Sequence, residues 1–345
     1  MDKDEIYMKR CLDLAALGLG KTYPNPMVGS VIVHQGKIIG EGWHQKAGEA
    51  HAEVRAVASV KNKALLKEAT LYVSLEPCAH IGKTPACAAL ILKHKIPKVV
   101  VGCIDPFSEV SGKGIDLMRN AGIEVILGVL EEDCKNSHKR FFTFHTKQRP
   151  YIILKWAETQ DGFMAALHQQ KGKPFWITSQ ESKKLVHKWR TEEEAILVGR
   201  NTAEQDNPEL TARLWDGHQP LRIVIDPFLK LPNSLKVFNA KAKTLVFKKK
   251  QDSVAADTET IQNIQFKSVP TEIMQELYKR NIHSIIIEGG QKTLQSFIEQ
   301  NLWDEARVFK GEKRLINGIA APRLNAKPIK TEKISKDVLN WYKNY

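Results

Sequence analysis

Residues 74–87 read SLEPCAHIGKTPAC, and residues 50–54 read AHAEV. Together they bring His51, Glu53, Cys78 and Cys87 into view. One imidazole and two thiolates suit zinc, and a catalytic zinc takes three protein ligands and keeps one position open. Glu53 follows His51 by two residues at the start of a helical stretch, AHAEVRAVASV. From there it reaches the open side of the metal without ligating it. Cys78 ends the apolar strand ATLYVSLEPC, which stops at Pro77, and Cys87 opens a helix, PACAALILKHK, entered through Pro85. The set has the form of the zinc deaminases, in which His and two Cys hold the ion and a Glu moves protons. The usual P-C-x-x-C is stretched here, so the cysteines flank a loop, AHIGKTPA, rather than one helical turn.

Outward from this centre the first half alternates helix and strand. Residues 4–19 have helical apolar spacing. VGSVIVHQGKIIGEGWH reads as a hairpin about a His-Gln-Gly turn. KVVVGCIDP is a strand, GIDLMRNAG a helix closed by Gly122, and IEVILGVL a returning strand. This order predicts a three-layer α/β domain on a mixed sheet. A polar boundary, FHTKQRP, covers residues 144–150, and the pattern then restarts. YIILKWA, AILVGR, LRIVIDP, TLVFKK, IQFKSV and SIIIEGG read as strands; TEIMQELYKR and QKTLQSFIEQ read as helices. TSQESKKLVHKWRTEEEA is a further helix, with Thr178 and Glu181 at capping-box spacing. A second α/β domain with a substantially parallel sheet follows. The expected domains are 1–147 and 148–345.

The bulk numbers agree. A chain of 345 residues exceeds the roughly 250–300 that one core usually serves. With 42% hydrophobic and 26% charged residues, each half can bury a core. No apolar run reaches the ~20 residues of a membrane span, and the charged N-terminal segment lacks a signal-peptide core. Five cysteines without a secretory signal point to metal ligation or buried thiols in a cytoplasmic protein. The net charge of +13 raises nucleic acid as a partner. The basic clumps at 236–250 and 327–336 do not interleave aromatic residues with the cations, so a solvated basic surface or a phosphorylated small substrate fits better. No nucleic-acid and no membrane partner is expected; a homo-oligomer is compatible with the chain.

Beyond chemistry, TYPNPMVGSVIV, GWHQKAGEAHAEV and SLEPCAHIGKTPAC resemble the deaminase domain of the bifunctional riboflavin-biosynthesis deaminase/reductase family. That family joins a diaminohydroxyphosphoribosylaminopyrimidine deaminase to a 5-amino-6-(5-phosphoribosylamino)uracil reductase. The long loop between the cysteines separates it from cytidine and tRNA adenosine deaminases. Ala86 stands where the family often has a second Pro. Gly82, Lys83 and Thr84 offer a flexible backbone, an ammonium and a hydroxyl, which suits a phosphate, although the full P-loop pattern is missing. The resemblance implies a cytidine-deaminase-like domain with zinc on His51, Cys78 and Cys87 and Glu53 as the catalytic residue. It also implies substrate contacts from Asn25, His44, His80, Lys83 and Thr84.

The second half has no GxGxxG, so the Rossmann fingerprint is absent. The Gly pair between SIIIEGG and QKTLQSF is either a phosphate seat at a helix N-terminus or a plain turn. KWAETQDGFMA, FWITSQES, HKWR, AILVGRNTAEQDNPELTAR and IIIEGGQKTLQSF resemble the reductase domain of the same family. The resemblance implies a dihydrofolate-reductase-like fold that uses NADPH. Glu158, Trp176, Thr202 and Asp206 would border the cofactor, with the turn formed by Gly290, Gln291, Lys292, Thr293, Leu294, Gln295 and Ser296. Pro174, Arg190, Leu210, Arg213 and Glu288 would face the substrate; guanidinium forks such as Arg190 and Arg213 grip phosphate well. Trp156 and Glu158 are larger or more charged than relatives usually carry there. After Arg307 the resemblance fades, with Gly318 and Pro322 as anchors. The implied reactions are zinc-dependent deamination of 2,5-diamino-6-(5-phosphoribosylamino)pyrimidin-4-one and NADPH-dependent reduction of the ribosyl group to ribityl. The alternatives are a zinc-dependent tRNA or nucleotide deaminase with a non-reductase accessory domain, and a purely structural zinc protein.

Overall fold

The computed structural model describes residues 2–79, 86–107, 110–168, 170–172, 175–248 and 269–345, and the backbone alone of Ile261–Gln265. The chain forms two compact units, Met1–Gln148 and Arg149–Tyr345.

The first unit begins with α1 (Lys3–Ala16), whose N-terminus carries a reciprocal capping box between Asp2 and Glu5. The hairpin β1 (Gly29–His34) and β2 (Lys37–Trp43) follows, then α2 (Ala52–Ser59) and β3 (Thr70–Val73). After these come α3 (Cys87–Lys93), β4 (Lys98–Val101), α4 (Lys113–Asn120) and β5 (Glu124–Leu127). Two helices absent from the sequence reading, α5 (Glu131–Ser137) and α6 (Lys139–Lys147), complete the unit. The strands lie in the order β2-β1-β3-β4-β5. β1 is antiparallel to both neighbours, while β3, β4 and β5 run parallel. One core packs between Ile32, Val57, Leu71, Ile91, Val99 and Met118, and a second between Met8, Leu14, Val31, Tyr72 and Val100. Helix α2 can approach β2 closely because Gly42 has no side chain: a Cβ there would come 2.4 Å from the Ala56 backbone nitrogen. That contact sets the height at which His51 and Glu53 stand.

The second unit contains β6 (Tyr151–Glu158), β7 (Phe163–Ala165), α7 (Gln180–Glu192), β8 (Ala195–Gly199), α8 (Arg200–Asp206) and β9 (Leu221–Ile225). It continues with β10 (Thr244–Lys248), β11 (Ile261–Gln265), α9 (Thr271–Lys279), β12 (Ser284–Ile287) and α10 (Gln291–Glu299). Its last strands are β13 (Glu305–Lys310), β14 (Ile319–Ala320), β15 (Lys330–Ile334) and β16 (Asp337–Lys343). The main sheet runs β11-β10-β9-β8-β12-β6-β13-β16-β15. β11 through β13 are parallel, and the hairpin β15–β16 closes the edge antiparallel. β7 and β14 pair separately.

Several boundaries differ from the sequence expectations. β3 stops at Val73, because the residues before Pro77 leave the sheet. α3 starts at Cys87. Phe144–Lys147, read as boundary, is the last turn of α6. The strand expected at IQFKSV lies earlier, at β11, and 266–268 fall outside the described residues. The α7 cap is Ser179, not the Thr178/Glu181 pair: its hydroxyl accepts the Ser182 N–H, and Asp337 collects the Ser179 N–H and the Ser179 and Ser182 hydroxyls.

Glu76 holds the far end of β3 in place. Its buried carboxylate accepts the Gly112 and Gly114 N–H groups at 3.0 Å, with Asp105 and Ile115 at 3.3 and 3.4 Å. The Gly112, Gly114 and Ile115 amides belong to the N-terminus of α4, whose N-cap Gly112 brings no side-chain acceptor, and the Asp105 amide lies in the segment that follows β4. Glu76→Ala leaves buried amides without an acceptor, and hydrogen bonds to charged groups are worth about 1.5–3 kcal/mol each. The expected loss is on the order of 3 kcal/mol for the first unit, read as a lower urea midpoint, with Glu76→Gln falling between it and the wild type.

Candidate active sites

His51 is the N-cap residue of α2, yet its side chain makes no capping bond, which leaves the imidazole to point elsewhere. Its Nδ1 lies 3.3 Å from Cys87 Sγ and 3.7 Å from Cys78 Sγ. One ligand atom from each of the three residues falls within 4.8 Å of the others, the sole such group among the described residues. The Cys87 backbone N–H, opening α3, points at Cys78 Sγ at 3.4 Å. A hydrogen bond from the Cys87 thiol, helped by His51, holds Cys78 down to about 4. The thiolate so formed, together with burial, pushes the Cys87 thiol up. His51 is raised, chiefly by its bond to Cys78. Two sulfurs and a nitrogen converging from a helix cap, a strand exit and a helix start make a donor set that fits zinc and leaves a fourth position open.

Glu53 is 3% exposed. Burial, then the neighbouring Cys78 thiolate, raises its carboxyl to about 7, where it both takes and gives protons. His44 packs edge-on to His51 with ring centroids 5.4 Å apart. Its Nδ1 faces the Ala50 carbonyl at 3.3 Å, which can only accept, so Nδ1 carries the proton. Nε2 is then left to accept from the Asn25 amide at 3.1 Å. Burial lowers the His44 pKa and keeps this tautomer neutral. Asn25 and His44 therefore stand together beside the three donors. His80, Lys83 and Thr84 lie outside the described residues.

In the second unit the carboxyl ends of β8 and β12 each run through glycine into a helix. A Cβ on Gly289 would meet the Val198 Cα at 2.5 Å, and one on Gly199 would meet Thr293 Oγ1 at 2.6 Å. Gly290 has φ +65 and lies against Thr202 Oγ1. Helix α10 has no side-chain cap, so its first amides remain for a ligand. This cradle, at a crevice between the carboxyl ends of adjacent parallel strands, fits a dinucleotide phosphate. Gln291, Lys292 and Thr293 form the first turn of α10, and Asp206 ends α8. Leu294 is in the core, Gln295 Oε1 accepts the Arg323 N–H, and Ser296 Oγ donates to the Thr293 carbonyl, so these three serve the fold as well. Trp176 is 50% exposed, with the Lys183 ammonium 4.0 Å above its ring. Glu158 accepts from the Trp156 indole at 3.1 Å, which pairs the two unusual residues.

Arg190 and Glu288 form a bidentate pair, Nε to Oε1 at 3.2 Å and Nη2 to Oε2 at 2.9 Å, and Nη1 donates to the Thr211 carbonyl at 3.1 Å. Lys155 Nζ lies 3.9 Å from the same carboxylate. Burial works to raise Glu288, but Arg190 and Lys155 outweigh it and hold it at about 2. The carboxylate thus stays charged, and a proton-donating role for it is disfavoured. Lys155 was missed in the sequence, although it opens the K-x-A-x-T-x-D-G stretch; burial lowers its pKa. Asp161 in that stretch is structural, accepting the Leu315 and Ile316 N–H groups. Leu210 is buried at φ +57, Arg213 is exposed, and Pro174 is outside the described residues.

Comparison with known proteins joins the two sites. The cytidine and deoxycytidylate deaminase zinc-binding region matches residues 1–103, and the RibD C-terminal domain matches residues 150–339. The riboflavin biosynthesis protein RibD of Aquifex aeolicus is 42% identical over 99% of both chains. That of Escherichia coli is 34% identical over 91% of this chain and 89% of its own. The crystal structure of a diaminohydroxyphosphoribosylaminopyrimidine deaminase/5-amino-6-(5-phosphoribosylamino)uracil reductase from Thermotoga maritima superposes with a TM-score of 0.90 at 37% identity, covering 99% of each chain. The match to the RibD C-terminal domain sets aside an accessory domain without reductase character. No helix among the described residues is long and apolar enough to cross a membrane. The chain belongs to the RibD family, the zinc- and NADPH-dependent bifunctional deaminase/reductases of riboflavin biosynthesis.

Proposed function

We propose that residues 1–147 deaminate 2,5-diamino-6-(5-phosphoribosylamino)pyrimidin-4-one and that residues 148–345 reduce the ribosyl group of the product to ribityl, in the cytoplasm. The observation that carries the first half is the convergence of His51, Cys78 and Cys87 beside a buried Glu53. His51, Cys78 and Cys87 would hold zinc, which would supply Lewis acidity to the site near neutral pH. Glu53 passes one proton of the attacking water to the ring nitrogen and the other to the leaving amine, so that N=C–NH2 and H2O become HN–C=O and NH3. Its burial beside the three converging donors places it to serve both transfers. Asn25 and His44 orient the pyrimidine, and His80, Lys83 and Thr84 complete its contacts. A small phosphorylated substrate, rather than a nucleic acid, suits a buried site of this kind.

In the second half the glycine cradle from Gly290 to Ser296, with Glu158, Trp176, Thr202 and Asp206, seats NADPH, which supplies the reducing equivalents. Glu288 and Lys155 face the reacting sugar as a fixed anion and a buried ammonium. Pro174, Arg190, Leu210 and Arg213 shape the substrate side.

Cys78→Ser is expected to lose most of the bound zinc and the deaminase activity together, measured as metal per chain after dialysis; full zinc content in the variant contradicts the ligand set. Glu53→Gln keeps its zinc and is expected to slow deamination by about 10²–10⁴-fold. NADPH oxidation with the deaminated intermediate stays intact in that variant. Arg190→Ala strips a buried carboxylate of its fork, which typically costs about 3–5 kcal/mol. Its expected signature is a lower unfolding midpoint of the second unit, with Arg190→Lys less affected. A raised substrate KM without any loss of stability would instead mean that the guanidinium is free for phosphate.

A further inference from the structure

The exits of β6 and β13, neighbouring parallel strands, are tied into one clamp. The Gly311 N–H continues the pairing by donating to the Glu158 carbonyl at 2.9 Å, and the Gln160 N–H donates to the Lys313 carbonyl at 2.8 Å. Arg314 Nε donates to Gln160 Oε1 at 2.8 Å. Asp161 Oδ2 accepts the Leu315 and Ile316 N–H groups at 3.1 and 2.9 Å, while the Thr159 hydroxyl donates to Oδ1 at 2.6 Å.

This loop is held against its own preference. Ile316 sits at φ +63 and is 91% exposed. A β-branched residue in the left-handed region is strained, and such strain persists only where the surroundings over-determine the backbone. The Ile316 side chain buries nothing that would offset the strain, so the hydrogen bonds to Asp161 keep the backbone there.

The loop in turn holds residues 175–177. Lys313 Nζ donates to the Trp176 carbonyl at 2.5 Å and stands 5.2 Å from the centre of the Phe175 ring. Gly311 abuts Ile177: a Cβ there would come 2.6 Å from the Ile177 carbonyl oxygen. Lys183 of α7 covers one face of the Trp176 indole, 4.0 Å from its centre. Trp176 is thus fixed at its backbone by one lysine and on one ring face by another, and half of its surface stays open. A large aromatic ring that is immobilised yet exposed is preorganised to pack against another planar ring. It stands at the carboxyl ends of the strands, on the same edge as the glycine cradle, and β12 of that cradle is next to β6 in the sheet.

We propose that Lys313 is a positioning residue of the reductase: anchored through Asp161, its ammonium sets the Trp176 backbone so that the open indole face packs against NADPH. This rests on the reading above that Trp176 borders the cofactor. The pyrimidine of the substrate is the other planar ring at hand, and the experiment separates the two.

The test uses the full chain with fluorotryptophan in place of tryptophan, the Trp176 fluorine resonance being assigned by its loss in Trp176→Phe, and calorimetric titration with NADPH. In the wild type NADPH is expected to shift that resonance. Lys313→Met keeps the aliphatic stem and removes the donor. It is expected to move or broaden the Trp176 resonance before any ligand is added, and to weaken NADPH binding on the order of tenfold, the lower end for a hydrogen bond from a charged group. Lys313→Arg restores a donor and recovers most of the affinity. Asp161→Ala, acting from the other end of the clamp, weakens NADPH binding in the same direction. In steady state Lys313→Met raises the KM for NADPH, while kcat at saturating cofactor and the KM for the pyrimidine hold. Lys313 is exposed, so an unfolding midpoint near that of the wild type is expected and ties the loss to binding. Unchanged NADPH affinity in Lys313→Met overturns the inference, whatever the resonance does. So does a rise confined to the pyrimidine KM, which would give the indole face to the substrate. If Trp176→Ala weakens NADPH binding and Lys313→Met does not, Trp176 borders the cofactor and the clamp alone is refuted. If Trp176→Ala keeps full NADPH affinity, the inference and that reading of Trp176 fail together.

Discussion

The Glu76 carboxylate accepts backbone N–H groups from Asp105, Gly112, Gly114 and Ile115, and through them the N-terminus of α4 is sealed against the exit of β3. Pro77 and Cys78 follow directly, so one of the three converging side chains hangs from this junction. A buried amide must find an acceptor, and a carboxylate can serve several at once. The second unit uses the same device. Asp304 takes the Ile152 N–H and the Arg149 fork. Asp337 takes the start of α7. In each case an acid from one part of the chain settles the backbone of another, and the functional elements are placed by that settlement.

Both centres also share a polarity. Cys78 and Cys87 lie between a strand's carboxyl end and a helix's first residue, and the glycine cradle lies between β8 and α8 and between β12 and α10. Parallel strands point their carboxyl ends one way, and helix starts there expose donors to whatever binds. The deaminase chemistry draws on thiolates and a carboxylate raised by burial. The reductase side holds its carboxylate ionised with two cations.

The zinc set was legible in the sequence because few chemistries need His, Glu and two Cys beside an apolar strand. The two α/β units were legible because apolar runs alternate with helical spacing. What escaped depended on partners distant in the chain. Ser179, not Thr178, caps α7 because Asp337 is there to receive it. Arg190 has the chemistry of a phosphate grip, yet Glu288, 98 residues on, occupies its fork. β15 carries Lys330, Glu332 and Lys333 on an exposed edge, a composition that reads as a solvated basic surface unless β16 is known to stand beside it. α5 is short and polar on most sides, with only Cys134 buried, so its apolar period is faint.

The place of β6 in its sheet bears on how the chain is made. β6 is the first strand of its unit to be synthesised, but it pairs with β12 and β13, which are among the last. At roughly 5–20 residues per second a ribosome needs on the order of ten seconds to deliver them. Throughout that interval the apolar run Tyr151–Leu154 has neither neighbour, the condition in which nascent strands aggregate. The first unit has all its strands by residue 127 and faces no comparable wait. Translation thus releases a deaminase half that can fold early, tethered to a reductase half whose central strand must wait for its neighbours.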